Sequence, residues 1–470
     1  MDDHILGLFS EGELANALEA ETIHPQNRRY HAVSTDSRCI ETGALFVALS
    51  GERFDAHDFI PDVIKAGAHG AIVSRVLNTP DDFTLFVVDD VLKAFGRLAK
   101  ALLKKRREAG GFTTYAITGS NGKTTTKEML SALLGVKGHH VLKTQGNHNN
   151  FVGLPITVMD LKSSHDVAVL EMGTNAPGEI RYLSQIGCPD KALITSIGAA
   201  HLEGFGSLEG VAKAKGEMIL APGLKNIILP AETHRFYDSD LPKDLEVTWV
   251  GNHESIFVKN IQSSIHGVDF ELIDGNQSYH VHLPILGAHN AENFAKAYAI
   301  VRDEHFTEEE LNQAAANIHL PSGRLEQWIG KGGESFLHDA YNANPSSMAQ
   351  ALKLIASITD KDKRCLILGM MGELGSTTED LHRELGKQAA EIGAVKILCV
   401  GELAPFIAEG AIHHHMNPEN VMAVAKDDLN KGLQWLKPAL SPDTVCLIKG
   451  SRSVRLERVL DFFEAHRMEE

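Results

Sequence analysis

Residues 118–125 read Thr118-Gly119-Ser120-Asn121-Gly122-Lys123-Thr124-Thr125. A short β-prone run precedes this octapeptide at 115–117, and a run with helical apolar periodicity follows it. A strand, a glycine-containing loop and a helix N-terminus form an anion site, because loop N–H groups and the helix dipole face a bound phosphate. The two glycines permit tight turns, Lys123 carries positive charge, and the Thr124 hydroxyl suits Mg²⁺. The octapeptide therefore predicts an ATP site.

The spacing of this loop departs from the usual phosphate-binding pattern. The motif G-x-x-x-x-G-K-[ST] requires glycine at position 117, where the chain has Ile117. The chain thus carries a shortened G-x-x-G-K-T loop, and a glycine-rich turn with an incidental lysine is the alternative. The strand and helix patterns on either side favour the phosphate loop.

Composition limits the classes of partner. The 470 residues carry 45 Lys and Arg against 62 Asp and Glu, a net charge of −17, which argues against a general nucleic-acid or anionic-membrane surface. Five scattered cysteines without a C-x-x-C motif indicate reduced thiols in a cytoplasmic protein. No apolar run reaches the roughly 18–20 residues of a membrane span. We therefore expect small-molecule partners, with no nucleic acid and no membrane.

The pattern of strand-like and helix-like runs predicts an α/β protein of three domains, at residues 1–95, 96–320 and 321–470. The last domain alternates most clearly, with strand-like runs at 336–341, 365–368, 397–400, 421–425 and 444–448. Helix-like runs lie between most of them, which predicts a doubly wound parallel sheet. The domain has no G-x-G-x-x-G fingerprint of dinucleotide binding.

Two central runs end in residues that suit catalysis. Glu171 follows the apolar run 167–170, and ligands bind at the carboxyl edge of parallel sheets. It could ligate Mg²⁺ or orient water, or it could begin a helix. His201 follows a second such run and is either a site residue or a core histidine. Lys215, in the helix-like run 208–220, is interpreted from its pattern as a solvated helical lysine.

Amide side chains form two further groups. Asn147 and Asn150 belong to a dense asparagine cluster, which provides many donors and acceptors but is also common in loops. Asn290 and Asn293 are three residues apart at the start of a predicted helix. Such a pair could hydrogen-bond the edge of a base or simply cap the helix.

Polar residues also follow the predicted C-terminal strands: Asp339, Tyr341, Asn342, Asn344, Lys449, Ser451 and Arg452. Arg324 lies at the entrance to this domain. In the N-terminal domain, Ser37 and Arg38 could bind a phosphate or form a capped turn. The histidines at 413–415 are adjacent, which disfavours convergence on one metal ion, so we interpret them as a solvated loop.

Together these segments resemble the Mur ligase family, and within it the branch that adds D-alanyl-D-alanine to UDP-N-acetylmuramoyl-tripeptide. The segments that carry the resemblance are 118–124, 146–150, 153–155, 171–173, 178–180, 200–206, 215–217 and 339–348. The last reads Ala343-Asn344-Pro345-Ser346, whereas the sibling that adds diaminopimelate has Asp-Asn-Pro-Arg there. The resemblance covers nearly the whole chain.

The resemblance implies a three-domain α/β fold with distinct roles. Residues 1–95 would form a small UDP-sugar-binding domain, and 96–320 a central ATPase domain of the phosphate-loop type with a mainly parallel sheet. Residues 321–470 would form a Rossmann-like domain that binds the incoming amine and closes on ATP. The implied activity is ATP-dependent amide formation through an acyl phosphate, in a cytoplasmic monomer that makes the peptidoglycan precursor.

The resemblance also implies roles for particular residues. Thr124, Glu171, His201 and a carbamylated Lys215 would hold Mg²⁺, as two ions, while Lys123 would act with the last three in catalysis. ATP would be bound by residues 118–125 and by Asn290, Asn293, Arg324 and Asp339. The other substrates would be bound by Ser37, Arg38, Asn147, Asn150, Tyr341, Asn342, Asn344, Lys449, Ser451 and Arg452.

Three other functions remain possible at this point. A nucleotide switch or motor ATPase would need no amine acceptor, although the Asn-Lys-x-Asp motif of GTPases is absent. A non-catalytic UDP-sugar-binding protein would tolerate loss of Lys123, Glu171 or Lys215, yet all three are present. A folylpolyglutamate synthetase-like enzyme would share the loop, but the asparagine-rich segments fit that activity poorly.

Overall fold

The computed structural model describes residues 4–51, 54–199, 202–239 and 241–468, which form three β-sheets with flanking helices. The first part contains β1 (Glu21–Ile23), β2 (Val33–Ser34), β3 (Leu45–Val47), β4 (Gly70–Val73), β5 (Thr84–Val87), α1 (Glu11–Leu18), α2 (Ile60–Lys65) and α3 (Val91–Glu108). Its sheet has the order β1-β5-β4-β3-β2, and only β1 is antiparallel to its neighbour. The strand-like runs near 45, 71 and 85 therefore correspond to three parallel strands.

The long helix α3 joins this first sheet to the second. Asp90 caps its N-terminus by accepting a hydrogen bond from Lys93 N–H at 3.0 Å. Leu98 and Leu102 are fully buried in one hydrophobic cluster that also contains Leu45 from the first sheet and Leu183 from the central part. The expected boundary between residues 95 and 96 therefore falls within a continuous helix, which packs against both the first sheet and the central part.

The central part forms a nine-stranded sheet in the order β14-β13-β12-β11-β10-β9-β6-β8-β7. Its elements are β6 (Thr113–Thr118), β7 (Val141–Lys143), β8 (Val167–Glu171), β9 (Lys191–Ile194), β10 (Asn226–Pro230), β11 (Glu246–Val250), β12 (Ile256–Ser264), β13 (Gly267–Asp274), β14 (Gln277–Leu283), α4 (Lys123–Val136), α5 (Gly153–Met159), α6 (Glu179–Gly187), α7 (Leu202–Phe205), α8 (Leu208–Gly216), α9 (His234–Tyr237), α10 (His289–Ala299) and α11 (Glu308–Ala316). Strands β6 to β11 are parallel, and β12 to β14 form an antiparallel meander. The sheet is therefore mainly parallel, as expected.

The C-terminal part forms a seven-stranded sheet in the order β19-β18-β17-β20-β16-β15-β21. Its elements are β15 (Glu326–Ile329), β16 (Ser335–Asp339), β17 (Arg364–Gly369), β18 (Lys396–Val400), β19 (Val421–Val424), β20 (Val445–Lys449), β21 (His466–Arg467), α12 (Pro345–Ile358), α13 (Thr378–Ile392), α14 (Ala404–His413), α15 (Leu429–Leu436) and α16 (Arg458–Phe462). Alternate strand residues pack on opposite faces. Leu366 joins the cluster under α12 to α14, and Ile367 joins the cluster under α15 and α16. The doubly wound prediction is confirmed.

Some elements differ from the sequence-based expectation. The helix predicted at 208–220 ends at Gly216 and continues as a 3₁₀ turn through Leu220. His413 ends α14, a helix that was not predicted, rather than lying in a loop, and the histidines at 413–415 are all exposed. No helix among the described residues is both long and apolar enough to cross a membrane.

Candidate active site

The phosphate loop connects β6 to α4 and requires both of its glycines. Gly119 has φ 144° and Gly122 has φ 80°, values that L side chains rarely adopt. A Cβ atom on Gly119 would lie 2.0 Å from Oγ1 of Thr195, which follows β9. The Ser196 hydroxyl donates a hydrogen bond to the Asn121 carbonyl at 3.2 Å. The end of β9 therefore fixes the shape of the loop.

Lys123 begins α4 and lies within the loop. Its Nζ donates to the carbonyl of Gly119 at 2.8 Å. Burial lowers the pKa of Lys123; the positive charge of Arg324 lowers it further, and the negative charge of Glu171 opposes both. A cationic side chain held among loop amides at a helix N-terminus is a suitable receptor for the terminal phosphates of a nucleotide.

The hydroxyl-bearing residues of the loop are buried, and two of them hydrogen-bond to neighbouring segments. Thr124 is almost fully buried, and its Oγ1 accepts a hydrogen bond from Arg324 Nη2 at 2.9 Å. Ser120 Oγ donates to the Gly198 carbonyl at 3.0 Å. Thr118 and Thr125 are both buried beside them.

Glu171 ends β8, the strand next to β6, and register places it opposite Ile117. Its side chain is buried; Oε1 accepts a hydrogen bond from Asn149 Nδ2 at 2.8 Å. Oε2 is also buried but has no hydrogen-bond partner among the described residues. An ionised oxygen in that state is costly unless a donor or a cation meets it. Glu171 is therefore a candidate cation ligand.

Lys215 contradicts the interpretation of a solvated helical lysine. Its side chain is among the largest fully buried ones, and within the described chain its Nζ has no hydrogen-bond partner. Burial lowers the pKa of Lys215 well below its ordinary value, the charge of Lys123 adds to this effect, and Glu179 opposes it. This environment favours the neutral form of the amine. His201, the remaining member of the predicted metal set, lies outside the described residues.

Asn290 and Asn293 lie on the first turns of α10, which packs against α4. Asn293 Nδ2 donates to Asn290 Oδ1 at 3.0 Å, and Asn290 Nδ2 donates to the Leu286 carbonyl at 2.8 Å. Asn293 also borders the phosphate loop, because a Cβ atom on Gly122 would lie 2.9 Å from its Oδ1. The structure thus brings Asn293 to the loop, with Asn290 hydrogen-bonded to it.

The C-terminal part touches the phosphate loop at two points. One is the contact of Arg324 with Thr124 described above, and the guanidinium of Arg324 also lies over the Tyr341 ring, 4.3 Å from its centroid. The other is Asn344, which caps α12 and donates from Nδ2 to Asn121 Oδ1 at 2.8 Å. Residues about 200 positions apart in sequence therefore form one site.

Asp339 and Lys449 face each other at the ends of β16 and β20. Lys449 Nζ contacts Asp339 Oδ2 at 2.6 Å and the Asn342 carbonyl at 3.1 Å, and Lys449 is almost fully buried. Ser451 Oγ accepts from Ser453 Oγ at 3.2 Å. Arg452 is exposed, with its guanidinium 3.6 Å from the Glu457 carboxylate.

Four predicted substrate residues make local contacts. Arg38 is exposed and pairs with Asp36 at 2.6 Å, and this hydrogen-bonded guanidinium lowers the pKa of Asp36 to about 2. Ser37 lies between them in the same turn. Asn150 Oδ1 accepts from Gly153 N–H at 2.9 Å at the start of α5. The backbone carbonyl of Asn147 accepts from Asn149 N–H at 2.7 Å.

The sequence interpretation missed two residues that hold Glu171. Asn149 donates to its carboxylate, and the Thr144 hydroxyl accepts from its backbone N–H at 2.9 Å. Both belong to the segment after β7, the strand beside β8. A parallel sheet places the ends of adjacent strands together, so a correct strand order would have indicated them.

Comparison with known proteins agrees with this geometry. The chain matches the models of the Mur ligase family catalytic domain over residues 29–101, the Mur ligase middle domain over 117–301 and the Mur ligase glutamate ligase domain over 323–452. UDP-N-acetylmuramoyl-tripeptide–D-alanyl-D-alanine ligase of Bacillus subtilis is 35% identical, over 96% of this chain and 95% of that protein.

Solved structures show the same similarity. MurF from Acinetobacter baumannii superposes with a TM-score of 0.86 at 31% identity, covering 97% of this chain and 99% of that one. MurF ligase from Thermotoga maritima in complex with ADP gives 0.79 at 26% identity, covering 92% and 97%. The chain therefore belongs to the Mur ligase family and is an ATP-dependent ligase.

Proposed function

We propose that this ligase joins D-alanyl-D-alanine to UDP-N-acetylmuramoyl-tripeptide and releases ADP and phosphate. The observation that carries the proposal is that Lys123, Glu171 and Arg324 lie close enough at the phosphate loop for their charges to interact. The UDP-N-acetylmuramoyl-tripeptide–D-alanyl-D-alanine ligase of Bacillus subtilis matches 96% of this chain. The reaction would be the last cytoplasmic step in synthesis of the peptidoglycan precursor. We further expect a monomer, as the family resemblance implies.

The reaction would proceed in two steps, with an acyl phosphate formed in the first step and consumed in the second. A carboxylate oxygen of the tripeptide attacks the γ-phosphorus of ATP, and the bond from that phosphorus to the bridging oxygen breaks to release ADP. The amine of D-alanyl-D-alanine then attacks the acyl carbon, loses a proton and expels phosphate. The first step brings two anions together, and Lys123 and the loop amides offset that repulsion.

The residues present fit Mg²⁺. The buried Oε2 of Glu171 has no hydrogen-bond partner among the described residues, and the Thr124 hydroxyl lies at the start of α4. We assign Thr124 and Glu171 as ligands, and the family resemblance adds His201; two ions are expected. When bound, Mg²⁺ supplies positive charge that offsets the charge of the phosphates.

Lys215 suits conversion to a carbamate. A neutral, buried amine can attack CO₂ and lose a proton, which forms an N–C bond and leaves a carboxylate on the side chain. The support is the lowered pKa of Lys215 together with its unpartnered Nζ among the described residues. The resulting anion would add a third oxygen ligand beside Glu171.

The remaining assignments follow the three parts of the chain. Asn290, Asn293, Arg324 and Asp339 would contact the nucleotide, with Thr118, Gly119, Ser120, Asn121, Gly122 and Thr125 around its phosphates. Residues 1–95, with Ser37 and Arg38, would hold the UDP-sugar, and Asn147 and Asn150 the tripeptide. Residues 321–470 would bind the dipeptide through Tyr341, Asn342, Asn344, Lys449, Ser451 and Arg452, and would close on the ATP held by residues 96–320.

Phosphate release from ATP tests the proposal when the tripeptide nucleotide and D-alanyl-D-alanine are added singly and together. We expect steady turnover only with both present. Release from ATP alone, unchanged by either compound, would support a simple ATPase and overturn the ligase assignment.

A further inference from the structure

The loop that carries Arg324 has an unusual backbone shape. Gly323 has φ 82° and Leu325 has φ 55°, so the residues on both sides of Arg324 are left-handed. For leucine this conformation costs roughly 1–2 kcal/mol. Arg324 nevertheless donates to Thr124 Oγ1 at 2.9 Å, on the far side of the domain junction. Neighbouring groups must therefore hold this loop in place.

Glu326, the first residue of β15, supplies that restraint. Its buried Oε2 accepts from Gly323 N–H at 2.7 Å and from the Ser322 hydroxyl at 2.9 Å. The carbonyl of Gly323 accepts from Tyr341 N–H at 3.1 Å. Both backbone polar groups of Gly323 are thus satisfied, and one carboxylate closes the loop around Arg324.

Two cationic or donor side chains compensate the buried carboxylate. His338 Nδ1 lies 3.2 Å from Glu326 Oε2, and Arg467 Nη2 contacts Oε1. Burial acts to raise the pKa of Glu326, but the hydrogen bonds from His338, Gly323 and Ser322, with the charge of Arg467, lower it to about 2. The carboxylate is therefore ionised near pH 7.

Arg467 comes from the last strand of the fold. Strand β21 pairs antiparallel with β15, with Arg467 opposite Trp328, and Met468 N–H donates to the Gln327 carbonyl at 3.1 Å. The C-terminal segment is thus tied to the strand whose first residue is Glu326. Removing a charge partner of a buried carboxylate weakens whatever that carboxylate holds.

We infer that Glu326 and Arg467 are positioning residues that aim Arg324 at the phosphate loop and so set the affinity for nucleotide. Neither side chain is assigned to contact nucleotide; each acts through the loop at 322–325. The inference rests on the proposed role of Arg324 in nucleotide binding, and the experiment below separates the two.

Calorimetric titration with Mg²⁺-ADP is the readout, for wild type, Arg324→Ala, Glu326→Gln and the double variant. Glutamine presents one oxygen and one N–H₂ group, so it can accept from Gly323 or from Arg467 but not from both. We expect Glu326→Gln to raise Kd about tenfold in the wild-type background, and less than about twofold when Arg324 is already alanine. This non-additivity of the Kd changes is expected if Glu326 acts through Arg324. A general loss of stability would instead weaken binding by the same factor in both backgrounds.

The outcomes separate the claims. Unchanged binding by Arg324→Ala would remove the nucleotide role of Arg324. Weakened binding by Arg324→Ala with normal binding by Glu326→Gln would overturn the present inference, as would fully multiplicative effects in the double variant.

Two further variants keep the test interpretable. Arg467→Gln removes the charge partner of Glu326 at a half-exposed position, so this variant should fold even if Glu326→Gln does not. It should raise the Kd for Mg²⁺-ADP several-fold, and unchanged binding would contradict the inference. Glu464→Gln is the matched control, because Glu464 is exposed and pairs with Lys331 at 2.8 Å in the same part of the fold. Its Kd should equal that of wild type, and a comparable rise would indicate a non-specific effect that overturns the inference.

Discussion

Lys123 and Lys215 occupy different environments in this site. Lys123 begins α4 and donates to the Gly119 carbonyl, whereas Lys215 is fully buried with no partner for Nζ in the described chain. Burial lowers the pKa of both. The pKa of Lys215 is lowered more strongly, which favours its neutral form, whereas Lys123 is placed in the loop that would hold phosphate.

Lys123→Ala should abolish turnover while the protein remains folded. The variant removes the charge that meets the transferred phosphoryl group, so kcat should fall by about 10³-fold or more. The free energy of unfolding should change by no more than about 1 kcal/mol, because a partly buried cation with a lowered pKa contributes little to stability. Steady-state phosphate release and urea unfolding measure the two effects.

Lys104→Ala is the matched control for this variant. Lys104 lies on α3, its side chain is 73% exposed, and its Nζ lies 3.7 Å from the Glu108 carboxylate. Its kcat should equal that of wild type. Near-normal kcat in folded Lys123→Ala would remove Lys123 from catalysis.

His289, at the start of α10, should make stability depend on pH. Burial lowers its pKa to about 4, with Lys449 and Lys296 adding to the effect and Asp339 opposing it. Between pH 4 and the ordinary value of 6.5 the unfolded chain binds a proton that the folded chain does not, so stability rises with pH across this window. The contribution is at most about 1.4 kcal/mol per pH unit.

Urea unfolding at pH 4.5 and 7 compares wild type with His289→Gln and with the exposed-histidine control His413→Gln. We expect a smaller stability difference between the two pH values only for His289→Gln. An identical difference in all three proteins would rule out the buried neutral histidine.

At the scale of single residues, the sequence predicted candidate site residues where a local motif or a strand end marks them. Lys123 and Thr124 follow from the loop pattern, and Glu171 from its place at a strand end. The burial of Lys215 was missed because its helix has few large apolar residues to mark a buried face, and its burial depends on how α8 packs against its neighbouring elements. Such packing is a tertiary property that periodicity does not encode.

At the scale of elements, the β6–loop–α4 unit depends on backbone conformation. Gly119→Ala would place a Cβ 2.0 Å from Thr195 Oγ1 and 3.0 Å from the Ser196 nitrogen, at φ 144°. We expect a loss of stability of about 1–3 kcal/mol and at least a tenfold weaker affinity for Mg²⁺-ADP. Urea unfolding and calorimetric titration measure the two quantities.

Gly135→Ala provides the control within the same β6–loop–α4 unit, since Gly135 lies in α4. Gly135 has open space around its Cβ position and a helical backbone, so alanine should stabilise the protein by about 0.5–1 kcal/mol without changing affinity. If Gly119→Ala bound nucleotide as tightly as Gly135→Ala, the loop geometry described here would be wrong.

The last strand of the central sheet is protected by side chains of α11. Asn312 accepts from His282 N–H and donates to the His280 carbonyl, both at 2.8 Å, and Glu308 accepts from His280 N–H at 2.7 Å. Unpaired edge groups promote association between sheets. Asn312→Ala should therefore cost about 1–2 kcal/mol and increase aggregation on partial unfolding.

Urea unfolding and light scattering test this prediction, with the adjacent exposed Gln313→Ala as control. Equal stability and equal scattering in the two variants would show that Asn312 does not protect the edge.

The sequence also predicted elements unevenly. The parallel strands of the C-terminal sheet were found, because apolar runs alternate there with helical patterns. The meander β12 to β14 was missed although the segment 267–274 alternates apolar and polar residues, and Gly275-Asn276 forms the two-residue connection to β14. Here the local signal existed, and the assumption of a mainly parallel sheet obscured it.

At the scale of the whole molecule, the site exists only where separate parts meet. Arg324 and Asn344 reach Thr124 and Asn121 from the C-terminal part, and helix α3 continues from the first sheet into the central core. No local pattern predicts contacts across about 200 residues. The family resemblance assigned Arg324 to the nucleotide and Asn344 to substrate, and the structure supplies their contacts with the loop.

The most direct test of the ligase account uses ¹⁸O in the terminal carboxylate of UDP-N-acetylmuramoyl-tripeptide, with ATP and D-alanyl-D-alanine. If the carboxylate is phosphorylated before amide formation, each released phosphate carries one ¹⁸O and the new amide retains the other. Unlabelled phosphate, with both labels kept in the peptide, would mean that water attacked ATP and would contradict the account.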